Sequence, residues 1–522
     1  VCQPLSGDVC SVSRSLLIIA LVTLVIVGLA PLVVMAARVS GADLAGIFDS
    51  RTLSLLGRST LLGLGSSAIA VGLGAPFGYL TARTDVPGAA LLRPLGLVPL
   101  LMPPLMLAMT WTVLIDLRGA PMTIMLLGLS TFPIVAIFTS RAAERIDARR
   151  EDAARLVGGT MGVIRMELPL LIAPTLAGAA LSFAFAVNDF SVPDYVSSVG
   201  AKFSVYADEI FATWQLDSNP GKAVATAVPL VALTLLALVP MLVLRRKGAM
   251  STVDSGFQSP KPLALGRARI PALMFCLLAI TLGALVPIGR LVFEAGGGTQ
   301  GWTSEKLQAA FSRALELCRD SLGSTLVYSV LAAFACVPVA LILGHAIQRM
   351  RRGWVLEFAC VLPIAVPAIL FGIGEIVLWS HASTNAIYGG GAMVVLMLMG
   401  RYIAFPVLVA SGAVASLDPQ LEEAARLAGA GPARRLGLIV GPALWPSMLA
   451  SWALVFVLAM RELDAAILIP SANDMVMFRV FNAVHFGRDD FVAALALLAI
   501  FMILLPGILW SLFGRRRLEL LP

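Results

Sequence analysis

The chain has 522 residues, of which 59% are hydrophobic and 13% charged, with a net charge of +7 and a mean hydropathy of +0.91. A water-facing surface needs about 25% charged residues, so a soluble protein is excluded and the chain reads as an integral membrane protein. Its basic residues abut the apolar runs, and the positive balance therefore calls for no nucleic-acid partner.

Crossing roughly 30 Å of hydrocarbon takes about 20 helical residues at 1.5 Å each. Runs of that kind lie at 15–37, 59–82, 91–116, 120–140, 168–190 and 222–244, then at 270–293, 321–346, 354–379, 390–415, 441–461 and 490–513. The expectation is an all-α integral membrane protein of about twelve transmembrane helices. Residues 1–244 form a first six-helix half, 245–269 a polar cytoplasmic linker, and 270–522 a second half. The first run is too long for the core of a cleaved signal and reads as a retained span. Prolines such as Pro103, Pro104 and Pro121 interrupt the third and fourth runs.

Alternate loops collect Arg141, Arg145, Arg149, Arg150 and Arg155, then Arg245, Arg246 and Lys247, then Arg349, Arg351 and Arg352, then Arg434 and Arg435, and the tail Arg515–Arg517. The positive-inside bias places these loops and both termini in the cytoplasm. Cys318 then lies outside and Cys2 and Cys10 inside, so an impermeant maleimide is expected to reach Cys318 and miss the other two. The six cysteines and three histidines are scattered singly, and no metal site or disulfide framework is indicated.

Two of the inner loops carry nearly the same phrase. Glu151-Asp152-Ala153-Ala154-Arg155-Leu156-Val157-Gly158 is matched by Glu422-Glu423-Ala424-Ala425-Arg426-Leu427-Ala428-Gly429, with Asp147 and Asp418 preceding at equal distance. Glu151 and Glu422 are 271 positions apart, Asn188 and Arg461 273, and Phe203 and Phe478 275. Register held over that length marks two homologous halves. Six spans return the chain to its starting side, so both halves have the same topology.

Residues 142–157 read as a helix with Ile146 and Leu156 on its apolar side. Gly158 is expected to stop it in a left-handed turn, and Thr160 to cap a second short helix ending before Pro169. In the second loop Gly429 provides the stop, and Pro432 starts the next helix at a tolerated first-turn position. Each loop is thus an elbow of two short helices, a compact knob for a partner's groove.

These residues resemble the EAA motif of binding-protein-dependent ABC importer permeases, in which Glu-Ala-Ala is followed by Gly and an apolar-Leu-Pro ending. The first copy has Asp152 in the Glu position, Ala153, Ala154 and Gly158, and ends in Glu167-Leu168-Pro169. The second has Glu423, Ala424, Ala425 and Gly429, but ends in Val440-Gly441-Pro442 and is two residues longer from glycine to proline. A fused twelve-span chain with two such motifs is similar to the ferric-iron and thiamine branch of type I importers. That resemblance implies a permease in the bacterial cytoplasmic membrane, surrounded by lipid. An extracytoplasmic solute-binding protein delivers substrate, and a cytoplasmic ATPase dimer couples through Glu151, Asp152, Ala153, Ala154, Gly158, Glu422, Glu423, Ala424, Ala425 and Gly429.

The chain has no phosphate-binding Gly-x-x-x-x-Gly-Lys-Ser/Thr loop, so ATP is expected on the partner and no cofactor in this chain. No triad elbow or His-Glu-x-x-His run points to a catalytic residue. Ionisable residues at membrane depth are costly, which makes Asp189, Glu375 and Glu462 candidates for the pathway. Asp189 and Glu462 end equivalent fifth-type spans, and an acidic pair facing one path would favour a cation or chelated cation. Ferric iron is the first substrate choice, with thiamine, polyamines, phosphonates and oxyanions as alternatives. A secondary transporter of the major facilitator kind also has twelve spans, and Gly78–Arg83 loosely resembles its inner loop. That reading, like a structural or signalling role, leaves the paired phrases unexplained.

Overall fold

A computed structural model describes residues 13–44, 49–217, 219–249, 258, 260–469, 474–485 and 489–513. These residues are almost entirely helical, and their one β feature is an isolated bridge between Thr84 and Leu263. Eight described helices are long and apolar enough to cross a membrane; five bent helix pairs raise the number to at most thirteen.

Prolines account for the bends of the third-type runs. Ala89–Leu101 and Pro104–Leu114 meet at 91°, and Gly353–Ala365 and Ala368–Trp379 at 101°. Met102 and Val366 precede Pro103 and Pro367 and are extended, at ψ 135° and 131°. The proline ring crowds a helical residue before it, so each third-type run is a broken span rather than one straight helix.

Contacts divide the chain into two compact units. One is formed by described residues of Val1–Arg38, Asp320–Phe478 and Met502–Pro522, the other by those of Val39–Arg319 and Arg479–Phe501. Each unit therefore takes its first-type span from the opposite half of the sequence. In the first unit the N-terminal span passes so close to Gly400 that a Cβ there would lie 1.9 Å from the Val27 carbonyl oxygen. Only glycine permits that approach. Both first-type spans carry a π-helical turn, Val25–Leu29 and Thr281–Leu285, just ahead of Pro31 and Pro287. Proline has no N–H to donate, which frees carbonyls in the preceding turn. In the second unit Trp111 Nε1–H donates to one of these, that of Leu282, at 3.2 Å.

The helix Pro220–Ala249 takes up residues 245–249 of the expected linker. Further along it, Leu263 N–H donates to the Arg83 carbonyl at 2.7 Å, and Asp85 N–H to the Leu263 carbonyl at 3.1 Å. Cys276, Cys318, Cys336 and Cys360 are free and buried. Cys318 is only 4% exposed, so the expected maleimide reaction is blocked by packing. Cys2, Cys10 and Arg515–Arg517 lie outside the described residues.

Candidate functional site

The first elbow begins with Asp147, whose carboxylate accepts from Arg149 N–H at 2.9 Å and caps the helix from Ala148. Its first arm ends at Gly158–Gly159. Gly158 has φ −139° and ψ 15°, which any residue tolerates, whereas Gly159 has φ 57° and ψ −149°. The left-handed position is therefore Gly159 and not Gly158, because one glycine is enough to reverse the chain and the second supplies it. The helix then resumes and runs through Pro169 and Pro174 to Asn188 without another break. The expected second short helix is the inner end of the fifth-type span.

Arg83, the last residue of the helix Ser50–Arg83, closes this elbow. Its Nη2 donates to Glu151 on the first arm and, at 2.6 Å, to Glu167 on the second. Nε reaches the same Glu167 oxygen at 3.2 Å, Nη1 donates to the Lys261 carbonyl at 3.2 Å, and Tyr79 OH donates to Glu167 at 2.6 Å. Arg83, Glu151 and Glu167 are all buried. A charge withdrawn from water in this way is tolerated only when paired and hydrogen-bonded.

The second elbow repeats the plan with different parts. Asp418 accepts from Gln420 N–H at 2.9 Å and caps Pro419–Leu427. Gly429 has φ 83°, as expected of the stop. Ala430 N–H donates to the Ala425 carbonyl at 2.9 Å and Gly429 N–H to that of Arg426 at 3.0 Å, the paired bonds of a Schellman ending. The next arm is Pro432–Ala443, with a π-helical turn at Leu436–Val440, and it bends by 78° into Trp445–Met460. Here Arg349 Nε and Nη2 donate to one Glu422 oxygen at 3.0 and 2.7 Å, and His345 Nε2 lies 2.7 Å from the other. Burial raises the Glu422 carboxyl, but His345 and Arg349 outweigh it and bring its pKa down to about 2.

In each phrase the leading glutamate, Glu151 or Glu422, turns inward to an arginine. The following acidic residue does not: Asp152 is exposed, and Glu423 pairs at the surface with Arg426 at 2.5 Å. Of the two residues expected on the apolar side, Ile146 packs with Ala143 and Leu171, but Leu156 is 90% exposed. With Val157 and Leu427 also exposed, the elbow tips offer apolar side chains outward. Ala153 and Ala424 are exposed, and Ala154 and Ala425 partly so. The repeated phrase does not single out Arg83 and Arg349; their signal in the sequence is that Gly78–Arg83 and Gly344–Arg349 each run from a glycine to an arginine five residues on, at the inner ends of equivalent spans.

The pathway candidates have local partners. Asp189 accepts from Val192 N–H at 2.9 Å, at the start of the helix Ser191–Val199. Glu462 accepts from Ala465 N–H at 2.8 Å and from Tyr402 OH. Both carboxylates thus bond the backbone three residues on, as helix caps do. Glu375 is fully buried and accepts from Trp379 Nε1–H at 2.7 Å. Its place in the first half, eight residues after Pro103 as Glu375 is after Pro367, is taken by Trp111.

The family model for the binding-protein-dependent transport system inner membrane component matches residues 74–249 and again 336–519. The chain belongs to that family. The double match makes this permease two homologous six-helix halves with about twelve spans in total, and a multi-pass inner-membrane protein. It is similar to the Fe(3+)-transport system permease protein FbpB 2 of Haemophilus influenzae, 23% identical over 88% of this chain and 90% of the relative. It also resembles the thiamine transport system permease protein ThiP of Brucella abortus, 25% identical over 65% of each chain. The putrescine transport system permease protein PotI of Escherichia coli is 26% identical over 43% of this chain and 81% of the relative. As relatives of this permease are transport proteins, it is a transport component of an ABC importer.

Proposed function

We propose that the chain forms the translocation pathway for ferric iron, delivered by an extracytoplasmic binding protein and driven by a cytoplasmic ATPase dimer seated on the two elbows. The observation that carries this reading is the pair of capped elbows, each with an exposed apolar tip and an inward glutamate fixed to an arginine. Two equivalent knobs suit a two-fold partner, and a rigid base lets a push on the tip reach the span. The positive-inside bias puts the elbows and both termini in the cytoplasm, and ATP is bound by the partner. Ferric iron is preferred because the iron-permease relative aligns over nearly the whole of both chains. Asp189, Glu375 and Glu462 are proposed as acidic groups along the path.

The test is purification of the tagged chain from its native membrane, followed by uptake in vesicles containing the copurified ATPase and binding protein. ATP-dependent accumulation of radioactive ferric iron is expected. Accumulation of thiamine or putrescine with no iron would replace the substrate, and transport without any ATPase would overturn the coupling reading.

A further inference from the structure

The two elbows are tethered by different contacts. In the first, Arg83 bonds Glu151 before the glycine reversal and Glu167 after it, so one guanidinium holds both arms. In the second, Arg349 Nε and Nη2 both donate to Glu422 on the first arm, and Nη2 also lies 3.5 Å from the Leu417 carbonyl, ahead of that arm. The second arm has no carboxylate to offer: Glu167 stands two residues before Pro169, and the residue two before Pro442 is Val440, buried among Ala410, Leu436 and Leu444. The auxiliary donors divide in the same way. Tyr79 and His345 each lie one helical turn before their arginine, on the same face. Tyr79 reaches the second arm through Glu167, and His345 reaches the first through Glu422.

The segment joining the halves adds to the first tether. The Lys261 carbonyl accepts from Arg83, the Gln258 carbonyl accepts from Ala148 N–H at 3.0 Å, and Leu265 N–H donates to Asp85 at 2.9 Å. Arg83 therefore sits at a junction of four chain segments: its own helix, both elbow arms and the segment carrying Lys261. The second arm of the other elbow is held differently, by packing of Leu436 and Val440 against Ala410 and Val414 and by burial of Arg435.

We infer that Arg83 is a positioning residue that fixes the angle of the first elbow by joining both of its arms through one guanidinium. This rests on the coupling reading for its role in transport, but the angle itself can be measured without a partner. The chemistry separates the two arginines. A guanidinium is a rigid planar fork that can serve two carboxylates and a carbonyl together, whereas a lysine ammonium is a point charge on a flexible stem. Lysine can satisfy the single oxygen of Glu422, but it cannot span Glu151, Glu167 and Lys261.

The experiment uses the full chain in lipid nanodiscs with Cys2 and Cys10 replaced by serine. Spin labels are placed at exposed positions on both arms, Arg150→Cys with Arg165→Cys for the first elbow and Gln420→Cys with Arg434→Cys for the second. Pulsed electron paramagnetic resonance then reads the width of each distance distribution. Arg83→Lys is expected to widen the first pair by about twofold and to leave the second pair unchanged, and Arg349→Lys also to leave the second pair unchanged. Tyr79→Phe, which deletes one hydrogen bond to the second arm, should widen the first pair less, and it carries the test if Arg83→Lys does not insert. No widening of the first pair in either Arg83→Lys or Tyr79→Phe, or equal widening of both pairs by Arg83→Lys, would overturn the inference. Widening as expected with ATP-driven uptake unchanged would instead count against the coupling reading.

Discussion

Gly159 is the position where the first elbow is most sensitive to one added methyl group. Its φ of 57° and ψ of −149° fall in a region that residues with a Cβ almost never occupy. A Cβ built there meets nothing within 4 Å, so crowding contributes no part of the penalty. The cost of Gly159→Ala is therefore torsional, about 1–3 kcal/mol, and alanine's lower entropy in the unfolded chain returns about 0.4–1 kcal/mol of it. The net loss of about 1–2 kcal/mol shifts the population of the correctly aimed elbow by roughly fivefold to thirtyfold. Gly158→Ala is the internal control, since its φ of −139° is open to alanine and its Cβ is also free. Hydrogen exchange of amides 148–168 in detergent reads the loosened elbow, and ATP-driven uptake beside ATP hydrolysis reads the coupling. Gly159→Ala should speed exchange and lower uptake per ATP, with Gly158→Ala close to unmodified. An equal or larger effect at Gly158 would refute the assignment of the reversal to Gly159.

The remaining predictions concern charge, packing and sidedness. Glu422 lies outside the spans, and its pKa falls on folding from 4.5 to about 2; a carboxylate lowered on folding adds stability that is present above its ordinary range and lost as pH falls towards 2. Exchange in Pro419–Leu427, corrected for intrinsic rate, should rise as pH falls below about 4, and Glu422→Gln should abolish that rise; a rise that persists in Glu422→Gln would point to another group. Gly400→Ala pushes a Cβ against the Val27 carbonyl and should cost about 1–3 kcal/mol or more, seen as a lower midpoint on heating in detergent, whereas an unchanged midpoint would mean that the helices are not packed this closely. If Asp189 acts as a cap, Asp189→Asn should keep iron uptake near normal and Asp189→Ala should not; loss in both would favour a role for its charge in the pathway. Cys318 should resist impermeant maleimide in folded membranes, and a cysteine at exposed Glu305 should react from outside; labelling of that cysteine only from the inner side would invert the topology.

What the sequence determined by itself were properties carried by neighbours along the chain. Apolar runs of span length, prolines that break them, Asp147 and Asp418 as caps, and Gly429 as a stop depend on a few adjacent residues and the backbone rules they obey. The duplication was legible for the same reason, since homologous halves keep these local signals in register. Tertiary structure decided which acidic residue of each phrase turns inward. Glu151 and Asp152 are adjacent and chemically alike, and only the position of Arg83, 68 residues away in sequence, distinguishes them. Arg349 does the same for Glu422 across 73 residues. The burial of Cys318, the approach of Val27 to Gly400 and the exchange of first-type spans between the compact units are likewise long-range. Sequence spacing records what a helix presents on each face, but not which distant helix will cover it, because that depends on the shape and charge of surfaces formed only when the chain has packed.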